Sequence, residues 1–280
     1  MGTRGILPNF LIVGAQKCGT TSLHDILSRH PQVQMSEIKE VNFFINPHKY
    51  DRGLDYYSTF FNQKENAIAI GESSPGYLCY PEVYNKIKED LGNIKIVILL
   101  RDPIKRAFSQ YWDNRRQLNE PLTEVEIIDN YLESEYNPKR KGYFSRGVYY
   151  PQVRNYIESF GADYVHVILL EELIKHQQAE LHKLYRFLGL DKDKGYQKLP
   201  KPSNSSLVWD NPLYKYMLRN PKQNKFLPSK LRRLFFFGRK KRFQYDLPNA
   251  PELERLKAFY KPWNQKLEEE FGLDIQTWIS

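Results

Sequence analysis

An apolar run at residues 9–13 stops at Gly14, and after Ala15-Gln16-Lys17-Cys18 a second glycine, Gly19, opens Thr20-Thr21-Ser22. Beyond it Leu23, Ile26 and Leu27 recur at helical spacing within residues 20–30, the pattern of an amphipathic helix. Strand, glycine-bounded loop and helix in that order aim backbone N–H groups and the positive end of the helix dipole at one point, where a phosphate belongs. The spacing departs from the Walker A pattern, in which lysine follows the second glycine. Here Thr20 holds that place and the lysine is Lys17. The cation is displaced and the Lys-Ser/Thr pair that accompanies magnesium is missing, which disfavours a nucleoside triphosphate. On these residues alone a P-loop kinase or NTPase stays open, as does an ordinary turn with two glycines.

Further apolar runs rich in β-branched residues occupy 67–70, 94–100 and 164–170. Unbroken apolar runs suit strands buried on both faces of a parallel sheet. Helical candidates lie between and after them at 81–91, 104–118, 151–160 and 171–188, the last stopping at Gly189. The alternation predicts an α/β fold of three layers, a central parallel sheet flanked by helices. Residues 191–211 are polar and rich in Pro, Ser and Lys, a long loop of the kind that often forms a lid or binding segment. A final amphipathic helix is expected over 251–271, with Leu253, Leu256, Phe259 and Tyr260 on one face. With neither an internal repeat nor a linker, residues 1–280 read as a single domain.

A hydrophobic content of 41% is ample for a buried core. No stretch approaches the roughly 20 apolar residues of a membrane span, and residues 1–8 lack the apolar core of a signal peptide, so a cytoplasmic protein is expected. Only Cys18 and Cys79 are present. They are expected as reduced thiols, and no metal site is expected. The formal charge of +9 is unevenly placed: residues 215–242 hold eleven Lys or Arg and no Asp or Glu. That segment fits an anionic partner, its alternative being a solvated face; nucleic acid ranks low because no reading motif accompanies it.

The run Phe10-Leu-Ile-Val-Gly14-Ala-Gln-Lys17-Cys18-Gly19-Thr20-Thr21-Ser22-Leu23 resembles the 5′-phosphosulfate loop of sulfotransferases that use 3′-phosphoadenosine-5′-phosphosulfate (PAPS). The resemblance implies a P-loop-like sulfotransferase fold in which Lys17 reaches the phosphosulfate and Cys18, Gly19, Thr20, Thr21 and Ser22 surround the 5′-phosphate. A second anion site is read at Arg101-Asp102-Pro103 with Ser109. An arginine at the carboxyl end of a buried strand offers a planar fork of donors. These residues resemble the family's 3′-phosphate motif, and the 3′-phosphate separates PAPS from an ordinary adenine nucleotide.

Lys39-Glu40 ahead of Phe43-Phe44 resembles a stretch of the heparan-sulfate-type branch, in which the glutamate is the proposed base. A positioned carboxylate can take the proton of an attacking hydroxyl, and Glu40 is the expected base, with Lys39 beside it. Asn42 stands where some of those relatives carry histidine. Glu72-Ser73-Ser74-Pro75-Gly76-Tyr77 resembles the family's Glu-Lys-Ser/Thr-Pro segment, with Ser73 in place of the lysine. Glu72 is read either as an orienting group or as a second base.

Arg146-Gly147-Val148-Tyr149-Tyr150 resembles a Gly-x-Tyr stretch near the cofactor. Gly238-Arg239-Lys240-Lys241-Arg242 resembles a Lys-Gly-Arg loop that closes over the 3′-phosphate. Phe235, Phe236 and Phe237 just before it fit either core packing or a membrane surface. The expected activity is in-line sulfuryl transfer from PAPS to a hydroxyl or amine of a carbohydrate, glycolipid or small molecule, without metal. A non-enzymatic polyanion-binding module is the further alternative.

Overall fold

The computed structural model describes residues 5–62, 64–132, 142–196, 207–220, 222, 228, 231, 233–242 and 247–278. The chain divides into two compact units: Met1–Arg101 with Tyr149–Ser203, and Asp102–Val148 with Asn204–Ser280.

The first unit is built on strands β1 (Phe10–Gly14), β2 (Val33–Met35), β3 (Ala69–Ser73), β4 (Lys95–Leu100) and β5 (Val165–Leu169), all parallel, in the order β2-β3-β1-β4-β5. Every residue of β1 is buried, as is all of β4 beyond Lys95. This agrees with continuous apolar runs in a sheet covered on both faces. Helix α1 (Thr20–Ser28) packs on β2 and β3. Helices α2 (Pro47–Tyr50) and α3 (Gly53–Ser58) form a short pair, α4 (Val83–Leu91) packs on α7 (Tyr149–Phe160), and α7 packs on β4 and β5.

The strand expected at 67–70 sits at β3, shifted toward Gly71, Glu72 and Ser73. Those residues have weak strand propensity; the sheet recruits them because the neighbours on both sides supply the ladder. Gly71 faces Phe10 across the β1–β3 ladder. A Cβ on it would lie 2.5 Å from the Phe10 ring and 2.6 Å from its carbonyl oxygen. The three-residue β2 and the short helices α2 and α3 have no period long enough to read in sequence. The helix expected over 171–188 is two, α8 (Leu170–Lys175) and α9 (Gln177–Leu188), because His176 leaves helical geometry at φ −122°, ψ 45°. Of the loop expected over 191–211, residues 197–206 lie outside the described residues.

In the second unit, α5 (Pro103–Arg116), α6 (Glu124–Tyr131) and α11 (Ala250–Phe271) enclose a cluster that includes Phe108, Tyr111, Ile127, Tyr143, Leu256 and Tyr260. Asp102 caps α5 by accepting from the amides of Ile104 and Lys105 at 2.8 and 3.1 Å. Arg106 is fully buried; its guanidinium donates to Gln110 at 2.9 Å and to the Tyr143 carbonyl. The Tyr260 hydroxyl donates to the Phe144 carbonyl at 2.8 Å. Helix α6 starts with a capping box between Thr123 and Glu126, a signature readable in sequence though not used above. Helix α10 (Pro212–Arg219) turns Tyr214, Met217 and Leu218 onto Leu118, with Phe235 and Phe236 packed beside them. Two of the three phenylalanines thus lie against core, whereas Phe237 is 52% exposed. An antiparallel pair of strands, β6 (Leu207–Trp209) and β7 (Lys240–Arg242), completes the described part.

Gly71→Ala is expected to lower stability by about 1–3 kcal/mol through overpacking against β1, read as a fall in the thermal midpoint. A second expectation concerns His24, His30 and His166, which burial holds below their ordinary value of 6.5. Below that value the unfolded chain takes up protons that the folded chain refuses, so stability falls as pH falls. The midpoint should be flat above pH 7 and decline from about pH 6.5 downward, and His30→Gln should flatten part of that decline.

Candidate phosphate-binding and catalytic site

β1 ends at Gly14, where a Cβ would meet Leu78 at 2.5 Å, and the chain turns through Lys17 (φ 72°) and Gly19 (φ 89°) into α1. Gly19 is the N-cap of α1 and brings no side chain to its first turn, which carries no acidic residue. The amides there face outward with nothing negative from their own helix to satisfy them, so the loop suits an anion. The Ala15 amide donates to the Leu99 carbonyl at 2.6 Å, the Cys18 amide to the Ala15 carbonyl at 3.2 Å. Cys18 is buried and its thiol lies 3.7 Å from the Tyr149 hydroxyl, which donates to the Arg101 carbonyl at 3.0 Å.

Arg101 follows β4, the neighbour of β1, and its Nη1 donates to the Lys17 carbonyl at 3.4 Å. The two cations singled out in sequence 84 residues apart are thereby brought to one end of the sheet. Thr20 is buried, while Thr21 and Ser22 are half-buried.

Glu40 lies in the loop that follows β2. Its carboxylate pairs with Lys39 Nζ at 2.8 Å, with side chains 44% and 24% exposed respectively. Both Glu40 and Asn42 adopt left-handed backbone, at φ 62° and 55°, which non-glycine residues seldom do. Glu72, at the end of β3, is wholly buried. Its Oε1 accepts from the hydroxyls of Tyr57 and Tyr77, each at 2.7 Å, and its Oε2 from Ser74 at 2.5 Å. Burial raises its pKa above the ordinary carboxylate value, and the three hydroxyl donors pull the other way without cancelling it. The hydroxyls of Tyr57 and Tyr77 are pushed well up by burial and then by the Glu72 charge. Phe43 stacks on Tyr57 with centroids 4.4 Å apart, and Phe44 meets Tyr77 edge-on at 5.6 Å. Ser73, in the place of the expected lysine, is fully buried, and its hydroxyl finds no partner among the described residues.

His24, which the sequence did not single out, lies on α1 with a buried Nδ1 that finds no partner among the described residues. Burial lowers its pKa first and the Lys39 ammonium second, so the phosphate-loop helix and the Lys39-Glu40 pair are electrostatic neighbours. A lone histidine at that helix position carries no signal in sequence.

The remaining candidates belong to the second unit. Ser109 is half-buried on α5, two turns beyond Asp102. Arg146 sits in the short 3₁₀ turn Ser145–Gly147, half-buried. Gly238 (φ 93°) and Arg239 are exposed ahead of β7, which starts at Lys240. The Arg239 carbonyl accepts from the Asp210 amide at 2.7 Å, and Lys241 pairs with the Asp210 carboxylate at 2.5 Å. Of the basic segment 215–242, residues 221, 223–227, 229, 230 and 232 lie outside the described residues.

The sequence profile of the family described as "Sulfotransferase domain" matches residues 7–236. Human heparan sulfate glucosamine 3-O-sulfotransferase 5 is 27% identical over 266 residues, covering 93% of this chain and 71% of that protein. A membrane-associated sulfotransferase of Dictyostelium discoideum, kil1, is 40% identical over 108 residues, which is 38% of this chain and 22% of that one. The crystal structure of a sulfotransferase from Alicyclobacillus acidocaldarius aligns with a TM-score of 0.72 at 27% identity, covering 98% of this chain and all of that one. Parallel sheet, phosphate loop and matched span agree, and the chain belongs to the sulfotransferase-domain family.

Proposed function

We propose that the protein transfers a sulfuryl group from PAPS to a hydroxyl or amine of a carbohydrate acceptor. The observation that carries this reading is the meeting of Lys17 and Arg101 at the ends of adjacent parallel strands, beside the uncapped first turn of α1. Lys17 and that first turn suit the 5′-phosphosulfate, and the planar donor fork of Arg101 suits the 3′-phosphate. Family membership sets the nucleoside triphosphate reading aside. The carbohydrate class draws support from the heparan sulfate enzymes among the relatives.

In this mechanism Glu40 accepts the proton of the attacking hydroxyl while an oxygen–sulfur bond forms on one side of the sulfur. On the other side the bond to the bridging phosphate oxygen breaks, releasing adenosine 3′,5′-bisphosphate. Lys17 faces the charge that grows on that leaving oxygen. A preplaced cation with fixed amide dipoles favours the transition state over the ground state. Lys39 holds the Glu40 carboxylate by its ion pair. No step requires a metal. A reducing, cytoplasmic setting is part of the proposal, in keeping with two buried cysteines, Cys18 and Cys79, that no disulfide joins to each other.

Calorimetry with adenosine 3′,5′-bisphosphate, 5′-AMP and ATP tests the cosubstrate. Preference for the bisphosphate is expected, and Arg101→Ala should weaken it by roughly 10- to 100-fold, the loss of one charge-assisted pair; equal binding of all three, or tighter magnesium-dependent ATP binding, would refute it. Glu40→Gln should lower kcat by roughly 100- to 10,000-fold with bisphosphate affinity unchanged, measured as release of bisphosphate from PAPS.

A further inference from the structure

Two amides of the loop that carries Glu40 end on residues at the close of β3. The Glu40 amide donates to the Ser73 carbonyl at 3.0 Å and the Asn42 amide to the Ser74 hydroxyl at 2.9 Å. Ser74 passes that bond on, donating to Glu72 Oε2 at 2.5 Å. The loop's carbonyls are held as well: Glu40's accepts from its neighbour Asn42 Nδ2 at 3.1 Å, and Val41's accepts from Lys49 Nζ at 2.5 Å.

Glu40 and Asn42 both have left-handed backbone. Each such residue costs on the order of 1–3 kcal/mol and persists only where its surroundings over-determine it.

The position of Glu72 argues against direct contact with an acceptor. The carboxylate is wholly buried, both oxygens are occupied by hydroxyl donors, and Tyr57 and Tyr77 cover it beneath Phe43 and Phe44. Glu40, by contrast, keeps its carboxylate partly exposed beside Lys39.

We infer that Glu72 is a positioning residue: through Ser74 it fixes the strained 40–42 turn that presents the Glu40 carboxylate, and it takes no proton from the acceptor. The inference rests on the reading of Glu40 as the base. Ser74 is the informative position, because its hydroxyl joins the Asn42 amide to Glu72 and its removal deletes few atoms.

The test compares wild type, Ser74→Ala, Tyr77→Phe, Glu72→Gln, Glu40→Gln and the Glu40→Gln/Ser74→Ala double variant. Two readouts are needed: steady-state release of bisphosphate from PAPS with a desulfated heparin oligosaccharide present, and amide hydrogen exchange in the bisphosphate complex. Ser74→Ala is expected to lower kcat roughly ten-fold or more, leave the KM for PAPS unchanged, and have no further effect once Glu40 is Gln, as for groups acting as one unit. Exchange at residues 40–42 should rise roughly ten-fold while residues 15–23 stay as in wild type. Unchanged exchange at 40–42, or a Ser74→Ala loss that multiplies with that of Glu40→Gln, would overturn the inference. So would a Glu72→Gln variant that stops turnover while Ser74→Ala leaves both readouts untouched, since Glu72 would then act on the acceptor itself. A Glu40→Gln variant with wild-type turnover would sink the base reading and this inference together, and the exchange data would still show separately whether Glu72 holds the loop. Should Glu72→Gln fail to fold, Ser74→Ala and Tyr77→Phe carry the test.

Discussion

The ladder that seats β1 between β3 and β4 decides where every functional group of the first unit emerges. In a parallel sheet all carboxyl ends point the same way, so the segments leaving β1, β3 and β4 come off one edge. The phosphate loop leaves β1, the Glu72-Ser73-Ser74 template closes β3, and Arg101 follows β4. Gly71 keeps the β1–β3 spacing short enough for this arrangement, since any side chain there would meet Phe10.

Two opposed electrostatic demands meet at that edge. Lys17, Arg101 and the dipole of α1 gather positive potential, in keeping with the anionic cosubstrate proposed for them. A few residues away in the sheet, Glu72 buries a carboxylate. That burial is costly unless donors surround it, and the hydroxyls of Tyr57, Tyr77 and Ser74 do so. The same donors tie the charge to the backbone of the Glu40 loop, so the desolvated carboxylate is bound up with local geometry instead of with an ion pair. Tyr149 makes a second tie by contacting Cys18 and the Arg101 carbonyl at once.

In the second unit two buried cations are held by neutral acceptors. Arg106 donates to Gln110 and the Tyr143 carbonyl, and Arg115 to the carbonyls of Glu120 and Leu218, while the Nε of each finds no partner among the described residues. Planar forks of donors suit carbonyl oxygens held in fixed positions by helices. Within 215–242, Lys215 and Lys241 share the Asp210 carboxylate while both side chains stay exposed.

The glycine-bounded loop with its displaced lysine, the apolar runs of β1, β4 and β5, and the amphipathic face of α11 were legible in the sequence because each rests on local spacing or an uninterrupted apolar pattern. The individual residues proposed for phosphate contact came from the resemblance of their motifs to those of the family. Strand β2, the shift of β3 onto Gly71-Glu72-Ser73 and the break at His176 were not, because neighbours supply the hydrogen bonds or packing that override weak local preference. His24 beside Lys39 was equally hidden. Sequence by itself determined that a strand, a glycine-bounded loop and a helix stand ahead of two carboxylates, Glu40 and Glu72. Only the tertiary structure decided that the first is partly exposed and the second buried among hydroxyl donors. Burial and hydrogen bonding are set by what other segments bring near, and nothing in the spacing of two glutamates encodes that.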